Sequence, residues 1–409
     1  MPRFEPFAGL RYSLSHIRSL EDVVCPPYDV ISEEKRLALL ERSASNVVRL
    51  ELPVDDGSGD PYERAALLLD SWRDGGILRR DPVPAFYGCR MSHPSPAGGD
   101  RVTIGVVGAL GLEPPGDGIL PHEHTTPKAK SDRLDLIRAT RANLSPIWAL
   151  TPGARTPGSG TPGGGLAELC DPPAHPAEHA RDDEGVLHEL WPILDRSRQV
   201  AISELVGEAP VLIADGHHRF ETALAYREEQ RAAGTATAGD DFVMAFVVEL
   251  APQRLSVQGI HRLIAGLPEG TDVVGALSRY FELSPTERPD PSIETRMAAA
   301  GSLALVTSSG TWLARPTLET AAAAQHDLDS SRLDVALSAL PQHELRYQHG
   351  WESAVAELDS GRAQAVVLVR PATVEQIAEI SRGGERMPPK TTFFWPKPRT
   401  GLVIRELLA

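Results

Sequence analysis

Residues 211–219 read Val-Leu-Ile-Ala-Asp-Gly-His-His-Arg, and a helix-forming stretch rich in Ala, Glu and Arg follows. Four apolar residues running into Asp215-Gly216 predict a buried strand, a tight turn and then a helix. At a helix N-terminus the free backbone N–H groups and the dipole favour an anion, and a glycine lets the backbone come close to it. Gly216 and Arg219 are therefore candidate phosphate ligands, Arg219 because its planar fork matches two phosphate oxygens. Asp215 and His218 are candidate catalytic groups, and Asp215 is also a candidate Mg²⁺ ligand. A plainer reading of the same residues is a capping aspartate, a turn glycine and surface histidines, since Asp-Gly turns are common.

A second group lies in "HEHTTPKAKSDR", residues 122–133. In an extended segment His122 and His124 would share a face and Glu123 would oppose them. Lys128, Lys130 and Arg133 come next, at the start of a predicted helix. One chemistry is a phosphate-binding loop with Glu123 as general base. Another is a Zn²⁺ or Mn²⁺ site joining His122 and His124 to Asp215 and His217 or His218, as in a metal-dependent hydrolase. A third group, "MPPKTTFFWPKP" at 387–398, offers Lys390 and Lys397 in a proline-stiffened loop that either reaches phosphate or closes the second lobe with Phe393, Phe394 and Trp395 as core. Near the N-terminus "CPPYDVI" and "SNVVRLELP" contribute Tyr28, Asp29, Asn46, Arg49 and Glu51, whose directions spacing does not fix.

Positioning such groups takes a sizeable scaffold, and 409 residues suffice for two lobes. The net charge of −15 opposes association with nucleic acid, and no helix-turn-helix is evident. Three dispersed cysteines (Cys25, Cys89, Cys170) give neither a disulfide framework nor a cysteine-rich zinc site. No apolar run is long enough to span a bilayer and no secretory signal pattern opens the chain, so a cytoplasmic protein with no membrane partner is expected.

Local patterns supply the elements. "ISEEKRLALLER" predicts a helix capped by Ser32, and "DPYERAALLLDSWRDGG" one capped by Asp60 with Pro61 at its first position. "PAFYGCRMSH", "RVTIGVVGALGL", "PIWAL" and "DFVMAFVVEL" predict strands, and "EHARDDEGVLHELWPI" a hairpin. Residues 151–165 are a low-complexity insertion whose "GSGTPG" matches GxGxxG at Gly158, Gly160 and Gly163. Its prolines, and the lack of a long helix after it, argue against a dinucleotide loop. The expected class is α/β (α+β mixed), with an N-terminal region over 1–250 and a second, smaller α+β lobe over 251–409.

"PPYDVI", "NVVRLELP", "HEHT…KSDRL…RATRANLSPI", "IADGHHRFETALAYR" and "MPPKTTFFWPKPRTGLV" together resemble the domain-of-unknown-function family numbered 1015, from about Pro6 to Val403. The "DGHHR" turn also resembles that of free-serine kinases in the ParB/sulfiredoxin superfamily. That resemblance implies a ParB/sulfiredoxin-like core in which Gly216, His217, His218 and Arg219 bind a donor's phosphates. It implies a catalytic glutamate from an earlier loop, with Glu123 the first candidate and Glu51 the second. The expected activity is a small-molecule kinase taking phosphate from ATP, ADP, CTP or pyrophosphate, with Mg²⁺, to a hydroxyl such as that of L-serine. Lys130, Arg133 and Lys390 would add positive charge around the phosphates. A ParB-like nucleotide-binding regulator, like the metal-dependent hydrolase, is an alternative.

Overall fold

The computed structural model describes residues 1–94, 100–114, 116, 118–121, 127–152, 165–173, 178–251, 255–383, 385, 387–388 and 390–407, with side chains save at 121, 127–130 and 381–382. The fold is mixed α/β, and the chain divides into two compact units. Among the described residues the first comprises those of 1–121, 127–255 and 396–407, and the second those of 256–395.

The first unit is built on a mixed sheet of nine described strands. Its order is Ile119–Pro121, Val211–Asp215, Ile147–Thr151, Phe242–Glu249, Asp100–Gly111, Phe86–Pro94, Leu187–Ile193 and Glu178–Arg181, with Phe4–Glu5 also paired to Asp100–Gly111. Its middle strands are apolar on both faces. Ile147, Ala149, Val211, Ile213, Val243 and Val247 join one core cluster with Phe86, Val106 and Phe220. The alternate residues Trp148, Leu212 and Phe246 are buried too. Such near-continuous apolar runs are what a sheet covered on both sides requires.

Helix ends follow their capping residues. Ser32 accepts from Lys35 N at the start of Glu33–Arg42, and Asp60 from Tyr62 N and Glu63 N at the start of Pro61–Asp74. The hairpin Glu178–Arg181 with Leu187–Ile193 pairs antiparallel.

The second unit contains a separate sheet, ordered Phe281–Thr286, Gly310–Pro316, Leu303–Thr307, Ala365–Leu368, Ser256–Ala265 and Glu344–His349. Successive residues of its inner strands go to opposite cores. Ile264, Leu303, Leu305 and Val367 lie in one cluster, and Leu263, Ala304, Val306 and Val366 in the other. This is the period of two of a strand buried on both faces.

Two features depart from the sequence reading. Thr392–Trp395 is a strand paired antiparallel to Ser256–Gly259, not an irregular loop. Its β-branched and aromatic residues suit a pleated surface, and the flanking prolines confine it to four residues. The segment 396–407 belongs with the first unit, not with the second lobe. Arg405–Glu406 pairs with Ala142–Asn143, and Thr400 and Ile404 bridge to Cys25 and Leu10.

Candidate functional site

The Val211–Asp215 strand runs parallel to Ile119–Pro121 and antiparallel to Ile147–Thr151, and its first four residues are buried. At its end Gly216 turns into the left-handed region, φ +88, and the 17-residue helix His217–Ala233 begins at once. A glycine is needed there on two counts. Other residues avoid this φ, and a Cβ would lie 3.1 Å from Arg219 Nε, Arg219 Nη2 and Ile147 Cα. Phe220, Ala223 and Tyr226 anchor the helix by burial.

This turn presents Asp215 to two cations. Arg219 donates from Nη2 to Asp215 Oδ2 at 2.9 Å and from Nη1 to the Pro146 carbonyl at 2.5 Å. Lys397 donates from Nζ to Asp215 Oδ1 and lies 3.6 Å from Asp29 Oδ2. Burial pushes the Asp215 pKa up, but Lys397, Arg219 and then His217 outweigh it and hold the carboxyl well below its ordinary range. Burial alone would lower Lys397; Asp215 and Asp29 raise it instead. Asp215 is therefore a firmly ionised carboxylate in a cationic pocket, suited to holding charge and poorly suited to taking a proton.

A second set of groups adjoins it. The Arg133 guanidinium lies over the Tyr28 ring, 4.4 Å from its centroid, and donates from Nη1 to the Glu51 carbonyl at 2.8 Å. The same nitrogen is 3.6 Å from Glu51 Oε1, which also accepts from Ser145 Oγ at 3.2 Å. Glu51 is only 2% exposed, at the end of the short helix Val48–Glu51. Burial, with Asp29 and Glu51, pushes the Tyr28 phenol up to about 12 against the opposing pull of Arg219 and Arg133. A cavity of about 50 Å³ is lined by Glu51, Arg133, Ser145, Arg219 and Thr222 among others. Arg219 Nε and Thr222 Oγ1 are buried with no hydrogen-bond partner among the described residues. Burying such groups unpaired is costly, so donors left over in a cavity are a mark of a place for a ligand or water.

Of the residues singled out by sequence, the fold brings Asp215, Gly216, His217, Arg219 and Arg133 to one neighbourhood. His218 lies on the first turn of the same helix. Glu123, His122 and His124 lie outside the described residues, as do Gly158, Gly160 and Gly163 and the side chains of Lys128 and Lys130. Lys390 is in the second unit, with φ +59, and its carbonyl accepts from Arg262 Nη1 at 2.8 Å. Among the described residues no three His, Cys, Asp or Glu side chains gather as a metal cage.

Sequence reasoning offered Lys397 as a donor in a loop that could reach phosphate, and Tyr28 and Asp29 as residues of unfixed direction. It placed none of them at the turn and did not single out Ser145. Lys397 is 182 positions from Asp215, and only a charged residue between two prolines after an aromatic strand hinted at it.

Residues 4–336 match the family described as protein of unknown function (DUF1015). The chain belongs to that family. No curated protein matches it. Among solved structures, a free serine kinase in complex with AMP shares 18% identity, over 68% of this chain and 84% of that one, at TM-score 0.37. A conserved hypothetical protein from Pyrococcus furiosus shares 18%, over 69% and 88%, at 0.35. SbnI with a C-terminal truncation, from Staphylococcus aureus, shares 11%, over 72% and 85%, at 0.38. The DUF1015 description carries no activity, so the chemistry rests on the site itself.

Proposed function

We propose that this DUF1015 protein is a small-molecule kinase, moving phosphate from a nucleotide or pyrophosphate to a hydroxyl, with free L-serine the first acceptor to test. One observation carries this reading. A glycine-led helix N-terminus sets an ionised carboxylate, Asp215, against Arg219 and Lys397, with Arg133 and the buried Glu51 beside them. Phosphoryl transfer needs little covalent help from a protein; it needs cations on the phosphate oxygens, a held metal and a base for the acceptor.

Each part has a candidate. The acceptor oxygen attacks phosphorus, the bond from phosphorus to the donor's bridging oxygen breaks, and the leaving phosphate keeps that electron pair. The hydroxyl proton passes to a carboxylate. The depressed pKa of Asp215 disfavours it in that role while it is paired to Lys397 and Arg219, which favours Glu51 or Glu123 as the base. Asp215 supplies the hard, ionised oxygen that suits Mg²⁺, which would neutralise charge on the donor phosphates. Arg219 and Lys397, now paired to carboxylates, would turn to phosphate oxygens once a donor and its metal arrive. The backbone N–H groups of the first helical turn would complete the cradle.

The test is direct. Purified protein with Mg²⁺ and L-serine is given ATP, ADP, CTP or pyrophosphate in turn, and products are followed by phosphorus NMR. Phosphoserine should form with at least one donor. Asp215→Asn and Lys397→Met should each lower the rate by about a hundredfold or more, in line with lost charge stabilisation. Glu51→Gln and Glu123→Gln distinguish the two bases by which one abolishes transfer. No consumption of any donor would overturn the reading; donor hydrolysis without transfer would overturn serine alone.

A further inference from the structure

The second unit has a cavity of its own, about 750 Å³ in volume. Its walls are the start of the Asp329–Leu337 helix, one side of the Ile293–Ala300 helix, and residues 369–373 after the Ala365–Leu368 strand. None of the residues assigned above to phosphate transfer lines it.

Its floor is an uneven ion cluster. The Asp329 side chain, 3% exposed, accepts from Arg370 N at 3.0 Å, Nε at 2.9 Å and Nη2 at 2.6 Å, and from Arg332 Nη1 at 3.3 Å. At the floor one buried carboxylate thus serves two guanidinium groups and a positive charge is left over there, while the two other carboxylates among the described lining residues, Glu294 and Asp327, are exposed to solvent. Asp327 pairs with Arg332 from the rim, but its side chain is 79% exposed and screened by water. Arg332 Nε is buried with no hydrogen-bond partner among the described residues. Asp329 also leaves Arg370 Nη1 unused. Burial, and then the charge of Arg370, push the Arg332 pKa down. An anion between the two would reverse that second effect.

The rest of the lining describes the body of the ligand. Ser330 and Thr391 hydroxyls sit 3.2 Å apart, Thr295 and Thr373 add two more, and Met297 and Leu328 give short apolar stretches. No aromatic side chain lines the cavity among the described residues, so a nucleobase would find no ring to stack on.

We propose that this cavity binds a small aliphatic oxyanion, a phosphorylated or carboxylated polyhydroxy metabolite, with Arg332 and Arg370 on its charged group. The volume is that of ordinary small-molecule sites and several times what one bare oxyanion fills.

Isothermal titration calorimetry on the full chain tests this with glucose 6-phosphate, citrate, inorganic phosphate and AMP. Arg332→Gln removes the open donor. Ala298→Glu, on an exposed helix position of the wall, adds a repelling carboxylate without touching the core. Saturable binding of glucose 6-phosphate or citrate, weakened about tenfold or more by each variant, is expected, and the stronger of the two identifies the source of the oxyanion. Should Arg332→Gln misfold, Ala298→Glu decides alone. Absence of binding by both organic anions, or binding that Ala298→Glu leaves intact, would overturn the proposal. AMP binding abolished by Ala298→Glu would overturn its aliphatic assignment.

Discussion

Asp215 meets its partners by two routes of very different length. Arg219 is four residues away on the same turn, whereas Lys397 arrives from the far end of the chain. The ion pairs hold the folded-state pKa below the ordinary carboxylate value, so their stabilisation is complete above pH about 4 and disappears as pH falls through the depressed value. Asp215→Asn should cost roughly 3 kcal/mol at neutral pH, because it leaves the buried Lys397 with only the more distant Asp29 to match it. Urea unfolding from pH 7 down to pH 3 would show the gap to wild type narrowing at the acid end, and a constant gap would refute the assignment. The contiguous Asp-Gly-His-His-Arg was legible because local spacing fixes a strand, a turn and a helix start. The lysine was not, since no local rule links residues 182 apart.

The turn depends on one backbone angle. Gly216→Ala must either hold an unfavourable φ of +88 or push Arg219 off Asp215. A loss of about 1–2 kcal/mol is expected, with a larger fall in donor binding than a stability effect alone would produce; calorimetry on the folded variant separates the two. Elsewhere, elements with strong end signals were readable, as Ser32, Asp60 and the Glu178–Arg181 hairpin illustrate. Thr392–Trp395 was not, because four residues between prolines resemble a loop until the partner Ser256–Gly259 is known. Glu51 was visible as a residue, but its inward direction is set by Arg133 and Ser145, on other segments.

Across the whole molecule, the separate cores of the two units make their acid responses separable. His261 in the second unit is 3% exposed and accepts from Val369 N through Nδ1 at 3.3 Å. Burial first, then Arg262 and His349, lower its pKa to about 4. Between about 4 and 6.5 the unfolded chain binds the proton that the folded one refuses, so stability rises with pH across that window. The contribution is full above about 6.5 and falls by up to roughly 3 kcal/mol towards pH 4. Wild type and His261→Gln, unfolded in urea at pH 7.5 and pH 4.5, should differ in slope by that amount; parallel profiles would refute it. No described helix is long and apolar enough to cross a membrane. The α/β class was legible from composition and periodicity, whereas the return of 396–407 to the first unit was not, because chain order does not reveal a discontinuous domain.

That return has a consequence for birth rather than for catalysis. On the ribosome the Asp215 turn emerges long before Lys397, with the whole second unit translated in between. At bacterial-to-eukaryotic elongation rates the 182-residue separation is a wait of roughly 10–40 s. Throughout it Asp215 has only its local arginine, and Ala142–Asn143 lacks the partner strand Arg405–Glu406 of its small two-stranded sheet. A nascent chain is thus born with the Asp215–Lys397 pair unmade, and the turn is completed only when translation has passed the second unit and the first unit's closing segment has come home.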